Sequence, residues 1–345
     1  MQENPKEYCP ECEDRVPDGI EYWLLDRRDF MRTAAAAVAG AVAAPAIARA
    51  ADAPKPEKPA ETLIKELYST FSDDQKKELV LPWNHGGEKG GIPTRMGMYN
   101  APIMKKTVSG SYTKPQQELV QRIVKAICNG DDGYAKISRN GKFDSTGAFE
   151  NCGALLFGEP KDKEKFALVF TSHHLTVRCD GNSEEGAAFG GPMYYGHSPN
   201  GYSPNNVWFY QTKSVISVWD MLNEEQRKKA ELQGTPHEGA PSVKFRKEGH
   251  PGLVYAELTA DQRKLVETVM CDVLSPYRKE DADNVMEIIK KNGGMEKIHL
   301  AFYKDADMND KMRWHFWRLE GPGFVWNYRV LPHVHTYVNI SSKIG

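Results

Sequence analysis

Two histidines two positions apart stand near the C-terminus, in residues 332–340 (PHVHTYVNI). The segment alternates as a strand does. His333, His335, Tyr337 and Asn339 fall on one side, Val334, Thr336, Val338 and Ile340 on the other. Residues i and i+2 on one strand face lie about 6.5–7 Å apart at the backbone. Two imidazoles leaning together from that spacing can share one metal ion at about 2.0–2.1 Å from each nitrogen. The strand therefore offers half of a metal site.

The other half is sought in residues 165–179 (KFALVFTSHHLTVRC), which read as the best strand of the first half of the chain. In a regular strand His173 shares a face with Thr171 and Leu175, while His174 shares one with Ser172, Thr176 and Arg178. Adjacent residues point apart, so only a bulge would let both serve one ion. The more polar face belongs to His174, which is the preferred ligand. His173 is then either a hydrogen-bonded buried histidine or a residue that orients a ligand. Three histidines, His174, His333 and His335, would bind zinc or copper with an open position, and all-imidazole ligation does not separate the two metals.

Residues 313–329 (RWHFWRLEGPGFVWNYR) read as two strands joined at Gly321-Pro322-Gly323. The His-x-His strand follows closely, so an antiparallel meander is expected. Arg318 and Glu320 lie two apart on one face. They form a structural ion pair, or else Arg318 steadies an anionic substrate while Glu320 moves a proton.

Four segments carry a capping box, a Ser, Thr or Asn three residues before a Gln: SDDQ from Ser72, TKPQ from Thr113, NEEQ from Asn223 and TADQ from Thr259. Helices are predicted over 75–81, 116–128, 226–233 and 262–273, with a fifth over about 281–292 ending at Gly293-Gly294. Two long loops are predicted. Residues 82–103 hold Trp83, His85 and Arg95, and residues 189–206 (FGGPMYYGHSPNGYSPNN) show neither helical nor strand period. Loops of that length inside a domain tend to be functional.

The N-terminus reads as an address. Residues 26–32 (DRRDFMR) precede an alanine-rich run, and AIARA supplies small residues for cleavage after Ala48 or Ala50. This resembles a twin-arginine export signal over 1–50. The run is too weakly apolar for a stable membrane span. Export implies a bacterial protein that meets the twin-arginine translocase and ends in the periplasm or outside the cell. Cys9 and Cys12 form half a zinc site at most. Residues 51–61, rich in proline and charge, read as a linker, and a single domain is expected over 62–345.

Of 345 residues, 40% are hydrophobic and the formal charge is −2. That composition supports a sizeable core and gives no electrostatic reason to expect a nucleic-acid partner. Cys128, Cys152, Cys179 and Cys271 have no metal-ligand spacing. No GxSxG, HExxH or GxGxxG occurs, which lowers serine hydrolases, zincins and nucleotide binders.

Taken together, LLFGEP, SHHLTV, LNEEQRKKA, FWRLEGPGFVWNY and PHVHTYV resemble the bacterial family called domain of unknown function 3500, from about residue 62 to 340. Its marks here are His173 and His174, the pair His333 and His335, and the Gly-Tyr-x-Lys junction at Gly133 to Lys136. Asn327 stands where the pattern implies Glu, and Asn339 where it implies Arg. The resemblance carries no settled activity.

The fold expectation is one α+β domain, an antiparallel sheet with four or five capping-box helices against it. The leading functional expectation is an exported metal-dependent enzyme, zinc or copper, acting on a small molecule, peptide or sugar. A periplasmic metal-binding or scavenging protein is the alternative. So is a non-catalytic ligand-binding domain, with Trp83, Trp208 and Trp314 as stacking candidates.

Overall fold

The computed structural model describes residues 59–180, 183–238, 244–304 and 314–343, and a short antiparallel pair, Tyr8–Cys9 with Asp14–Arg15. Apart from that pair, the expected signal lies outside the described residues, as does most of the expected linker.

Each of the four capping boxes starts a helix. The helices are α1 (Pro59–Ser69), α2 (Asp73–Leu79), α3 (Val108–Ser111), α4 (Lys114–Ala126), α5 (Gly130–Ile137), α6 (Phe209–Met221), α7 (Glu224–Ala230), α8 (Ala260–Leu274) and α9 (Lys279–Lys291). The boxes at Ser72, Thr113, Asn223 and Thr259 are closed in both directions, side chain to backbone and back. Their glutamines also reach across. Gln75 and Gln116 exchange amide hydrogen bonds of 2.8 and 3.0 Å, and Gln226 and Gln262 do the same at 2.9 and 2.8 Å. One residue type thus starts a helix and ties it to its neighbour.

The strands are β1 (Val80–Leu81), β2 (Gly153–Phe157), β3 (Ala167–Ser172), β4 (Leu175–Cys179), β5 (Met193–His197), β6 (Glu231–Leu232), β7 (Leu253–Val254), β8 (His299–Tyr303), β9 (Phe316–Gly321), β10 (Phe324–Arg329) and β11 (Val334–Ile340). They join in one sheet ordered β1-β2-β3-β4-β5-β11-β10-β9-β8-β6, with β7 also on β8. The sheet is mixed rather than purely antiparallel, because β1 runs parallel to β2 and β6 parallel to β8. Both exceptions are two-residue strands at the edges, which the sequence pattern gave no means to orient. The expected meander β9-β10-β11 is present, turning at Pro322-Gly323.

The two faces differ sharply. One carries Leu175, Val177, Tyr195, Trp317, Leu319, Trp326, Val338 and Ile340 into a hydrophobic cluster that runs from Ala60 to Ile340 and includes the inward sides of the helices. Burial of that kind is the main favourable term in folding. On the other face the register places His335 beside Gly196 and Arg329, and Tyr337 beside Tyr194 and Asn327, with Arg318 and Glu320 further along. Polar side chains there are buried too.

Three expectations need correction. Residues 165–179 are not one strand but a hairpin, β3 and β4, turning at His173-His174. Residues 189–206 contain a strand, β5, that sits between β4 and β11. Its glycine and tyrosines hid it, although Met193, Tyr194 and Tyr195 are all buried. Helices α1, α3, α5 and α6 are beyond those expected, and α1 starts at Pro59, within the residues read as linker.

Gly196 is the residue the central strands cannot exchange. A Cβ there would lie 2.3 Å from the Val334 carbonyl oxygen and 3.2 Å from His174 Cβ. Gly196→Ala is expected to lower stability by about 1–3 kcal/mol through overpacking, read from the shift of the urea unfolding midpoint. An unchanged midpoint would mean β5 and β11 are less closely apposed than described.

Candidate metal centre

The site begins with a backbone strain. His174 occupies the second turn position with φ +53°, a left-handed conformation uncommon outside glycine and asparagine. Neighbouring segments hold it there. The His174 N–H donates to Asn100 Oδ1 at 2.6 Å, and its carbonyl accepts from Gly196 N–H at 2.9 Å. The His173 N–H donates to Thr146 Oγ1 at 2.8 Å, and Arg139 Nη2 donates to the His173 carbonyl at 2.6 Å. The turn thus swings both rings to one side, which a regular strand could not do. Their centroids are 3.8 Å apart, with the rings tilted by 33°.

Strand β11 brings the other pair. His335 pairs with Gly196, whose missing side chain leaves the space that the His174 ring needs. The His174 centroid is 4.7 Å from His333 and 4.8 Å from His335. His333 Nε2 and His335 Nε2 are 3.0 Å apart. One ring nitrogen from each of the three lies within 4.8 Å of the others. Exposure is 0% for His174 and His335 and 2% for His333.

Each ring has a polar neighbour. Asp144 Oδ2 sits 2.6 Å from His174 Nδ1 and also accepts from Ser198 N–H at 2.9 Å. Ser145 Oγ meets His173 Nδ1 at 2.6 Å. Arg329 Nη2 meets His335 Nδ1 at 2.7 Å, and Arg329 Nη1 pairs with Glu238 Oε2 at 2.8 Å. Asp144, His173 and His174 form a second, overlapping group of ligand-type atoms. Tyr194 closes one side edge-on to His335 at 5.5 Å, and stacks on Tyr337 at 4.7 Å.

Burial dominates the electrostatics. It pushes the His174 imidazole down to about 3, against the hydrogen bond to Asp144, which favours the charged form. His335 is driven well below the ordinary histidine range by burial, then by the Arg329 charge and the neighbouring histidines. Burial alone would raise the Asp144 carboxyl, but the His174 hydrogen bond and the Arg139 guanidinium hold it below the usual carboxylate range. The outcome at neutral pH is that His174 and His335 are uncharged beside an ionised carboxylate. Neutral imidazole is the form that binds a metal. This buried His/Asp group could hold a metal ion.

Of the residues expected at the site, His174, His333 and His335 are together, with His173 against the His174 ring. Arg318 and Glu320 stand on β9, two strands from β11, with Arg318 Nε 2.9 Å from Glu320 Oε2 and Arg246 Nε 3.2 Å from Glu320 Oε1. They share the sheet face of His335 without a bond to the histidines among those described. Trp208 and Trp314 are fully buried in the core, and Trp83 lies under the Arg95 guanidinium at 3.7 Å. Cys128, Cys152, Cys179 and Cys271 are free thiols, none grouped with the histidines. Asp144, Asn100, Arg329 and Glu238 were not anticipated. Arg329 was legible in part, since alternation along β10 places it opposite His335. The other three carry no local signal.

A buried imidazole with a depressed pKa has a sign. The unfolded chain takes up protons below about pH 6.5, whereas folded His174 takes one up only near 3. Protons therefore favour unfolding through that window. Stability of the metal-free protein is expected to fall by about 1 kcal/mol per pH unit for each such imidazole as pH drops below about 6.5. Urea melts between pH 7 and 4.5 measure it. The His174→Gln variant is expected to show a shallower fall.

Residues 55–341 match a family model described as a protein of unknown function, DUF3500. No curated protein matches the chain, and no solved structure does. That match takes in every strand of the large sheet and all four clustered histidines, and the chain belongs to the DUF3500 family.

Proposed function

We propose that His174, His333 and His335 bind a single zinc or copper ion through ring nitrogens, and that the protein is an exported metal-dependent enzyme. One observation carries this reading: three buried imidazoles from two distant segments bring ligand atoms within 4.8 Å of one another, and burial keeps those of His174 and His335 neutral. The donor set fits such an ion. Tetrahedral bonds of about 2.05 Å put ligand nitrogens about 3.3 Å apart, and the His333–His335 separation is already 3.0 Å. Asp144 on His174 Nδ1 supplies the carboxylate–histidine contact that fixes ring orientation and ligand basicity.

Three imidazoles leave a position for water or substrate. A bound zinc ion would supply hydroxide near neutral pH, and copper would supply redox chemistry instead. The chain's own residues orient the ligands and exclude solvent. Tyr194 and Tyr337 wall one side, and Asp144 keeps the His174 proton on Nδ1. Arg318 and Glu320 are read as an anchor for the far end of a small-molecule, peptide or sugar substrate lying along the sheet face. Their distance along that face and their mutual ion pair favour anchoring over proton transfer at the metal.

Export by the twin-arginine route to the periplasm or beyond belongs to the same proposal, since that route carries folded passengers and so permits metal loading beforehand. It rests on Arg27, Arg28 and the alanine-rich run. Among the described residues no helix is long and apolar enough to cross a membrane.

A second reading, metal storage or scavenging, draws on the burial of all three rings at 0–2% exposure. It requires a fourth protein ligand, for which His173, beside His174, is the candidate. Purified mature protein is expected to hold about one zinc or copper per chain, measured by elemental analysis, and His333→Ala/His335→Ala is expected to hold none. Equal metal content in the two would end both readings. A water exchangeable at the metal would favour the enzyme, and a closed four-residue shell the store.

A further inference from the structure

His335 is held by groups whose chemistry conflicts with metal binding as they stand. Arg329 Nη2 lies 2.7 Å from His335 Nδ1. A guanidinium has five N–H donors and no acceptor, and stays charged. His335 Nδ1 must therefore accept, so a neutral His335 carries its hydrogen on Nε2. That hydrogen points at His333 Nε2, 3.0 Å away, which accepts it. The nitrogen facing the cluster then has no lone pair for a metal.

The remedy is alongside. Glu238 Oε2, already paired to Arg329 Nη1, is 3.6 Å from the same His335 Nδ1. Glu238 is 6% exposed, so its carboxylate is held in place rather than drawn from solvent. It is the acceptor that an Nδ1–H would need.

We propose that Arg329 and Glu238 form a two-position latch on His335, resting on the metal reading above. In the metal-free protein Arg329 donates to Nδ1 and the hydrogen sits on Nε2. When zinc or copper binds, the Nε2–H bond breaks, an N–H bond forms at Nδ1 by exchange with solvent, and the Nε2 lone pair goes to the metal. Arg329 withdraws from Nδ1 and Glu238 accepts the new N–H. The imidazole is neutral in both states, so guanidinium, carboxylate and ring keep their charges. Occupancy of the site is thereby coupled to the position of residues 235–238. Glu238 and Arg329 are positioning residues, acting on the metal through His335.

The test uses histidine-¹⁵N-labelled mature protein, with ring tautomers read from long-range ¹H–¹⁵N correlations and His335 assigned by its loss in His335→Ala. Zinc and copper(I), both diamagnetic, are the probes. His335 is expected as the Nε2–H tautomer without metal and Nδ1–H with it. Affinity is then measured by chelator competition. Arg329→Met is expected to bind about tenfold tighter, because Glu238 then meets Nδ1–H directly, and Glu238→Ala about 10- to 100-fold weaker. A merely structural pair would weaken binding alike when either member is removed, and that result would overturn the latch. So would a His335 that keeps Nε2–H, or carries no ring hydrogen, in the loaded protein. If either variant fails to fold, the wild-type tautomer decides. If wild-type protein takes up neither metal, the metal reading falls and the latch with it; if it takes up metal without the tautomer change, the latch alone falls.

Discussion

A buried imidazole stays neutral and needs hydrogen-bond partners in place of water, and the centre of this molecule is arranged around meeting that requirement at His174 and His335. Leaving such a group unpartnered away from water costs several kcal/mol at the upper end of the usual range. His174 meets it through Asp144, and His335 through Arg329 and His333. The supports come from segments far apart in the chain. Asp144 lies ahead of β2, Asn100 in the loop after β1, and Glu238 after β6. Moving any one of these segments exposes a polar nitrogen or strands a carboxylate.

Sheet topology gives the histidines their common location. The β3–β4 turn and β11 are more than 150 residues apart, and β5 alone separates them in the sheet. Because His335 pairs with Gly196, and Gly196 N–H bonds the His174 carbonyl, one glycine fixes both the register and the distance. The large apolar core on the opposite face holds the strands in place, so the polar side can carry groups that contribute little to stability. Strain at His174 and at Asp144, both with positive φ, falls inside that polar cluster. Unfavourable backbone conformations concentrate where neighbouring structure over-determines them and function has use for them.

Much of this was readable from residue pattern, and the parts that were not share a cause. Alternation in residues 332–340 assigned His333 and His335 to one face correctly, and the capping boxes located four helix starts. Both signals are local and repeat along the chain. The turn at His173-His174 has no glycine, asparagine or proline to announce it, and is imposed by Asn100, Thr146, Arg139 and Gly196. Strand β5 is hidden by the composition of the residues around it, and its identity comes from the two strands it joins. Asp144 and Glu238 are ordinary acidic residues until the fold places them on imidazoles.

The central claim is that three histidine nitrogens share one ion. X-ray absorption at the zinc or copper edge of the loaded mature protein tests it most directly. The account predicts a first shell of three imidazole nitrogens near 2.0 Å with their outer-ring scattering, plus one exchangeable oxygen ligand. A shell dominated by sulfur or by carboxylate oxygen, with fewer than two imidazoles, would contradict it.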